Sequence, residues 1–156
     1  MKLKVQNTDY ANSYRKKQLV GMMYALGAVK RGSFTLSSGK TSDLYIDGRL
    51  AVLDPKTLII IGGLMGQIIS PVDFDSIGCM EGPGSATLLG ALLAGYAAQD
   101  FDKTISGFVV RKQAKGHGTG KIVEGVVGSS PILIDDVATS GKSLLHAIDN
   151  MPVKPL

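Results

Sequence analysis

Along the chain, apolar residues recur first at helical spacing. Over Ser13 to Leu26, Leu19, Met22, Met23 and Leu26 form one stripe, and Gly27 supplies a left-handed stop. Two short extended runs follow, Ser33 to Leu36 and Leu44 to Ile46, separated by Ser37, Ser38, Gly39 and Lys40. Small polar residues there favour a turn, so the segment predicts a hairpin. Asp54 then Pro55 pairs an N-cap carboxylate with a proline at the first helical position. Leu58, Ile61, Met65 and Ile68 continue as the apolar face of that helix, and Pro71 closes it. Beyond it, Phe74 to Cys79 predicts a strand, Gly82 to Gly84 a tight loop and Ser85 to Gln99 a helix rich in Ala and Leu. The rhythm returns with strands over Ile105 to Val110 and Pro131 to Asp135, and a helix from about Gly141 to Asn150. Strands alternating with helices predict a parallel sheet covered on both faces. Arg111 to Ser130 is too polar and glycine-rich for the core, and long loops of that kind are functional or disordered.

A chain of 156 residues fits one compact domain. No apolar run reaches the roughly 20 residues needed to cross a bilayer. The opening stretch MKLKVQNTDYANSYRKK is basic but lacks the apolar core of a secretory signal, which leads to the expectation of a cytoplasmic protein with no membrane partner. Cys79 is the only cysteine, which excludes an internal disulfide and any zinc site built on paired thiolates; it is expected as a small buried apolar residue. The net charge of +4 is modest, but Lys and Arg crowd between Arg111 and Lys121, where an anionic partner would be held. No aromatic residues are interleaved with those charges to stack bases. A small polyphosphate therefore fits better than nucleic acid.

The segment that carries most chemistry is Ile132-Leu133-Ile134-Asp135-Asp136-Val137-Ala138-Thr139-Ser140-Gly141-Lys142-Ser143. An apolar strand ends in two carboxylates, and a loop of small hydroxyl residues and glycine opens a helix. Ligands of open α/β sheets bind at the carboxyl ends of strands, and a helix N-terminus presents unpaired N–H groups to an anion. Ala138 to Ser143 would thus cradle a phosphate, with Asp135 and Asp136 accepting from sugar hydroxyls. The plainer reading is that the carboxylates cap the helix and the glycine turns the chain. A second glycine loop, Met80-Glu81-Gly82-Pro83-Gly84-Ser85-Ala86-Thr87, exposes backbone ahead of a helix, as a phosphate contact needs, or is simply a strand-to-helix turn. A carboxylate at Glu81 would repel such an anion unless a cation lay between them.

The 132–143 string resembles the phosphoribosyl pyrophosphate signature of type I phosphoribosyltransferases. Two further stretches narrow the resemblance to the orotate phosphoribosyltransferases. Gly32-Ser33-Phe34-Thr35-Leu36-Ser37-Ser38-Gly39-Lys40-Thr41-Ser42-Asp43-Leu44-Tyr45-Ile46-Asp47-Gly48-Arg49 is similar to their amino-terminal hood. Phe108-Val109-Val110-Arg111-Lys112-Gln113-Ala114-Lys115-Gly116-His117-Gly118-Thr119-Gly120-Lys121 is similar to their mobile catalytic loop. The resemblance implies an α/β fold, a type I phosphoribosyltransferase-like parallel sheet flanked by helices, in a single domain with a small N-terminal hood over roughly 1–50 and the core over roughly 51–156. Family members run further, adding a strand, a helix and an arginine that contacts orotate, and those C-terminal strands are absent from this chain.

By the same resemblance, the chain transfers the ribose 5-phosphate of phosphoribosyl pyrophosphate to orotate, giving orotidine 5'-monophosphate and pyrophosphate. Lys115, His117 and Asp136 are then catalytic. Arg111, Lys112, Lys115, His117, Asp135, Asp136, Val137, Ala138, Thr139, Ser140, Gly141, Lys142 and Ser143 bind phosphoribosyl pyrophosphate. Ser37, Ser38, Gly39, Lys40, Tyr45 and Thr139 bind orotate, and Ser37 stands where some members carry a lysine. Magnesium is implied as cofactor, held at Asp135 and Asp136 through ligand or water, and so is a homodimer in which Lys115 and His117 reach into the partner's site. Physics supports the loop assignment: departure of pyrophosphate builds negative charge, which mobile cations closing over it would stabilise. Two other readings stay open, a phosphoribosyl pyrophosphate-binding regulatory module with weakened catalysis and a transferase for another base. The hood argues against the second.

Overall fold

The structure, a computed structural model, describes residues 5–35, 39–99, 105–114, 121–138 and 140–156. It begins with α1 (Val5–Ala25), which leads through Gly27, at φ 70°, into a hairpin of β1 (Val29–Thr35) and β2 (Thr41–Ile46). The two strands pair antiparallel with a register shift between Arg31 and Phe34, and they form a sheet of their own. The first helix thus starts earlier than Ser13, in a stretch whose polar residues carry no apolar stripe. The hairpin strands are likewise longer than their apolar runs.

A six-residue helix, α2 (Gly48–Leu53), follows at once, and α3 (Pro55–Ile69) follows that. Each is capped by an aspartate: Leu50 N–H donates to Asp47 Oδ1 at 3.4 Å, and Thr57 N–H to Asp54 Oδ1 at 2.9 Å. The buried Thr57 hydroxyl also donates to Ala51 carbonyl, welding the two helices at their junction.

Next come β3 (Ser76–Met80), α4 (Pro83–Gln99), β4 (Ser106–Val110), β5 (Val123–Gly125), β6 (Pro131–Ile134) and α5 (Lys142–Asn150). The second sheet has the order β5-β4-β3-β6, with β3, β4 and β6 parallel and β5 antiparallel to β4. β3 is buried at every residue, as a central parallel strand is. Its odd positions, Ile77 and Cys79, face a core with Val52, Leu88, Leu89, Leu92 and Ile134. On the opposite face Met80 meets Phe108, Val110, Ala147 and Met151. Gly78 is required there, since a Cβ would stand 2.0 Å from the Phe108 ring. The expected parallel sheet with both faces packed is therefore present, with one correction: the 111–130 stretch supplies an antiparallel edge strand, β5, and Val123 and Val127 pack on the core.

Asp75 anchors the opposite end of the sheet. It accepts from the Ser129 N–H at 2.7 Å, the Ser129 hydroxyl at 2.8 Å and the Ser130 N–H at 3.0 Å, and these bonds, the Ser129 hydroxyl first, hold its carboxyl below the usual range. The connection into β6 is thereby fixed, and with it the position where β6 ends. No described helix is long and apolar enough to cross a membrane.

Candidate active site

β6 ends at Ile134, so Asp135 and Asp136 emerge at the carboxyl edge of the sheet beside the N-terminal turn of α4. The residue that joins the two carboxylates is Ser85, buried in that turn. Its hydroxyl lies 3.1 Å from Asp135 Oδ1 and 2.8 Å from Asp136 Oδ1. Asp136 is closely confined: its Oδ2 would lie 2.2 Å from a Cβ on Gly84 and 3.2 Å from a Cβ on Gly48. Two glycines, one opening α2 and one opening α4, thus make the slot that holds this carboxylate. Burial raises the Asp135 carboxyl above its usual range, and the neighbouring Asp136 adds to the rise, while the Ser85 hydrogen bond opposes it. The same pair of charges, after burial itself, helps push the Cys79 thiol up to about 11, so this cysteine is the inert core residue expected.

After the carboxylates, Val137, Ala138 and Ser140 are exposed at the strand end, and Gly141 turns the chain at φ 71° into α5. Gly141 has no side chain with which to cap α5, and Lys142 and Ser143 stand exposed in the first turn. The first N–H groups of α5 are thus left without a side-chain cap, beside an exposed lysine.

A cavity of about 450 Å³ lies between the hairpin and this strand end, lined by Tyr45, Asp47, Arg49, Asp136, Val137 and Ala138 among others. Tyr45 is braced by Phe34, with ring centroids 5.3 Å apart. Of the other residues expected to meet the base, Gly39 is at φ 81° and Lys40 is exposed outside the cavity lining, while Ser37, Ser38 and Thr139 lie outside the described residues. A larger cleft of about 600 Å³ between α3 and α4 shares no residue with this site. Glycines of both helices, with Leu58, Ile59 and Leu92, form much of its wall, Arg15, Gln67, Ser70 and Tyr96 supply its polar groups, and no carboxylate is among the described residues that line it.

The cationic loop begins at the end of β4. Lys115 and His117 lie outside the described residues, but its root is clear. Arg111 is half-buried between two carboxylates, with Nε 3.8 Å from Glu81 Oε2 and Nη1 3.4 Å from Glu124 Oε1. Glu81 also accepts from the Lys112 N–H at 3.2 Å. His146 of α5 meets the Arg111 carbonyl at 3.2 Å. The expected repulsion at Glu81 is thus met by a cation of this chain: the carboxylate is turned to the root of the basic loop. Sequence reasoning missed the roles of Ser85 and Gly48, which meet Asp136 from far away along the chain, and of Glu124, which pairs with Arg111 across β4 and β5. Only the glycines beside Ser85 hinted at a close approach.

The described residues hold no group of three or more His, Cys, Asp or Glu side chains able to bind a metal by themselves. A pair of adjacent carboxylates does suit magnesium, which binds one or two carboxylates and completes its shell with water and substrate phosphates.

An open sheet with a carboxylate pair and a glycine-turned helix opening at its carboxyl edge, faced by a separate hairpin, is the architecture of the type I phosphoribosyltransferase class. A solved structure of Mycobacterium tuberculosis orotate phosphoribosyltransferase, in complex with Fe(III) dicitrate, matches with a TM-score of 0.66 and 28% identity, covering 91% of this chain and 80% of that one. Among curated proteins, the orotate phosphoribosyltransferase of Thermococcus gammatolerans is 38% identical over 86% of this chain and 69% of its own length. That of Methanothermobacter thermautotrophicus is 32% identical over 94% of this chain and 74% of its own. The chain belongs to the orotate phosphoribosyltransferase family. No protein-family model matches it.

Proposed function

We infer that this protein transfers the ribose 5-phosphate group of phosphoribosyl pyrophosphate to orotate, releasing pyrophosphate and forming orotidine 5'-monophosphate. The observation that carries this reading is the coincidence, at one sheet edge, of the Asp135 and Asp136 pair with the α5 cradle and the aromatic-walled cavity under the hairpin. In this reading the hairpin is the hood of a one-domain enzyme. The ribose hydroxyls meet Asp135 and Asp136, and the 5-phosphate sits on Val137 to Ser143. The base lies against Tyr45, with Ser37, Ser38, Gly39, Lys40 and Thr139 around it.

During the reaction a bond forms between the base nitrogen and the anomeric carbon of the ribose. The bond to pyrophosphate breaks, its electron pair leaves with pyrophosphate, and the base nitrogen gives up its proton. Negative charge therefore grows on the leaving group. In this reading Arg111, Lys112, Lys115 and His117 are the cations that answer it, the last two from the partner of a homodimer. Magnesium, held at Asp135 and Asp136 through ligand or water, would supply charge neutralisation of the pyrophosphate. A cytoplasmic setting accompanies this role.

The test is to mix the purified protein with orotate, phosphoribosyl pyrophosphate and magnesium and to follow orotate loss. Consumption that requires all three components is expected. Orotate unchanged beyond a protein-free blank, with ligands still bound, would establish the binding module instead.

A further inference from the structure

The cavity beneath the hairpin poses an electrostatic problem for an anionic base. Two of its lining residues are carboxylates, Asp47 and Asp136, and Arg49 is the one cation among the described residues that line it. Orotate differs from uracil by a ring carboxylate, so it brings a negative charge into this space. Like charges brought together in a partly enclosed site repel strongly, and a guanidinium is the group best suited to offset a carboxylate there.

Arg49 is placed for that task from both ends. Its stem runs through room left by a glycine: the Cγ lies 3.3 Å from where a Cβ on Gly84 would stand. Its Nε is 3.5 Å from Asp47 Oδ1. Asp47 is itself held, donating its N–H to the Ala28 carbonyl at 2.7 Å and accepting from Leu50 N–H. A guanidinium has five N–H donors, more than one contact at Nε can use. The side chain remains 61% exposed, so the head can turn toward an incoming anion. Pyrophosphate is the competing anion. However, Gly82 before α4 and Gly84 and Ser85 in its first turn are not part of the cavity lining, whereas Arg49 shares that lining with Tyr45.

We propose that Arg49 binds the carboxylate of the pyrimidine base and so sets the preference for orotate over uracil. This rests on the transferase reading above.

The experiment titrates orotidine 5'-monophosphate, uridine 5'-monophosphate and pyrophosphate separately into the wild-type protein, Arg49→Ala and Arg49→Lys, with thermal melts to confirm folding. The two nucleotides differ only in the carboxylate, and no turnover is needed. Wild type should prefer orotidine 5'-monophosphate. Arg49→Ala should lose about tenfold or more in affinity for it, the scale of a hydrogen bond to a charged group, with uridine 5'-monophosphate and pyrophosphate little changed. Arg49→Lys should restore part of the preference. An Arg49→Ala protein that keeps the wild-type ratio between the nucleotides would overturn the assignment to Arg49 alone, as would one that loses pyrophosphate as severely as the carboxylated nucleotide. Wild type that binds neither nucleotide would overturn the transferase reading and this assignment with it.

Discussion

Ser85→Ala probes the site where it is most tightly built. The Ser85 hydroxyl is only 5% exposed as part of its residue and sits between Oδ1 atoms at 3.1 and 2.8 Å. It has one proton, so the two contacts count as one donated hydrogen bond shared between two acceptors. A hydrogen bond to a charged group contributes about 1.5–3 kcal/mol. Because Asp135 and Asp136 are each half-buried and partly hydrated, the lower part of that range applies, about 1.5–2 kcal/mol. At roughly 2–4 °C per kcal/mol for a domain of this size, the melting temperature should fall by about 3–8 °C. The pH dependence has a definite sign. Ser85 lowers the Asp135 carboxyl, whose pKa burial raises, so its contribution is present while the carboxylates are ionised and shrinks as they protonate. Melts of wild type and Ser85→Ala should differ at neutral pH and converge in acid, and Ser85→Thr should restore the wild-type value. A gap that is absent at neutral pH, or that widens in acid, would refute the reasoning.

Four other substitutions test neighbouring elements. Asp135→Asn should raise the melting temperature at neutral pH while abolishing saturable binding of phosphoribosyl pyrophosphate by calorimetry. The reason is that a carboxyl raised mainly by burial costs stability once pH exceeds its folded pKa. Gly84→Ala would set a methyl 2.2 Å from Asp136 Oδ2 and should cut turnover at least about tenfold, a loss of about 1.4 kcal/mol. Gly82→Ala, whose methyl meets nothing within 4 Å, should leave turnover near wild type. Glu81→Ala releases the Lys112 N–H and one of the carboxylates beside Arg111, so hydrogen exchange at the Lys112 amide should quicken about tenfold while that of the β3 amides stays unchanged.

Local chemistry makes parts of this fold legible in the sequence. Asp54 and Pro55 announce α3 because a cap and an N1 proline act within four residues, and the Asp54 side chain does bond the Thr57 N–H. The strands β3, β4 and β6 were readable from apolar runs, and the carboxylates at the end of β6 stand where the strand's end required. What stayed hidden was short or distant. α2 has six residues, under two turns, too few for a periodicity to show, and β5 has three. Ser85 meets its aspartates across 50 and 51 residues of chain, and nothing local to it signals that contact. Glu81 reads as a misplaced charge until Arg111 is seen beside it, 30 residues later, because ion pairs between loops are set by the sheet register and not by spacing.

The central claim is that this site joins ribose 5-phosphate to orotate. Its most direct test is phosphorus NMR of a reaction holding orotate, phosphoribosyl pyrophosphate, magnesium and the protein. Orotidine 5'-monophosphate and pyrophosphate should appear together in equal amounts, and neither should accumulate when orotate is omitted. Pyrophosphate released without the nucleotide, or a mixture left unchanged, would contradict it.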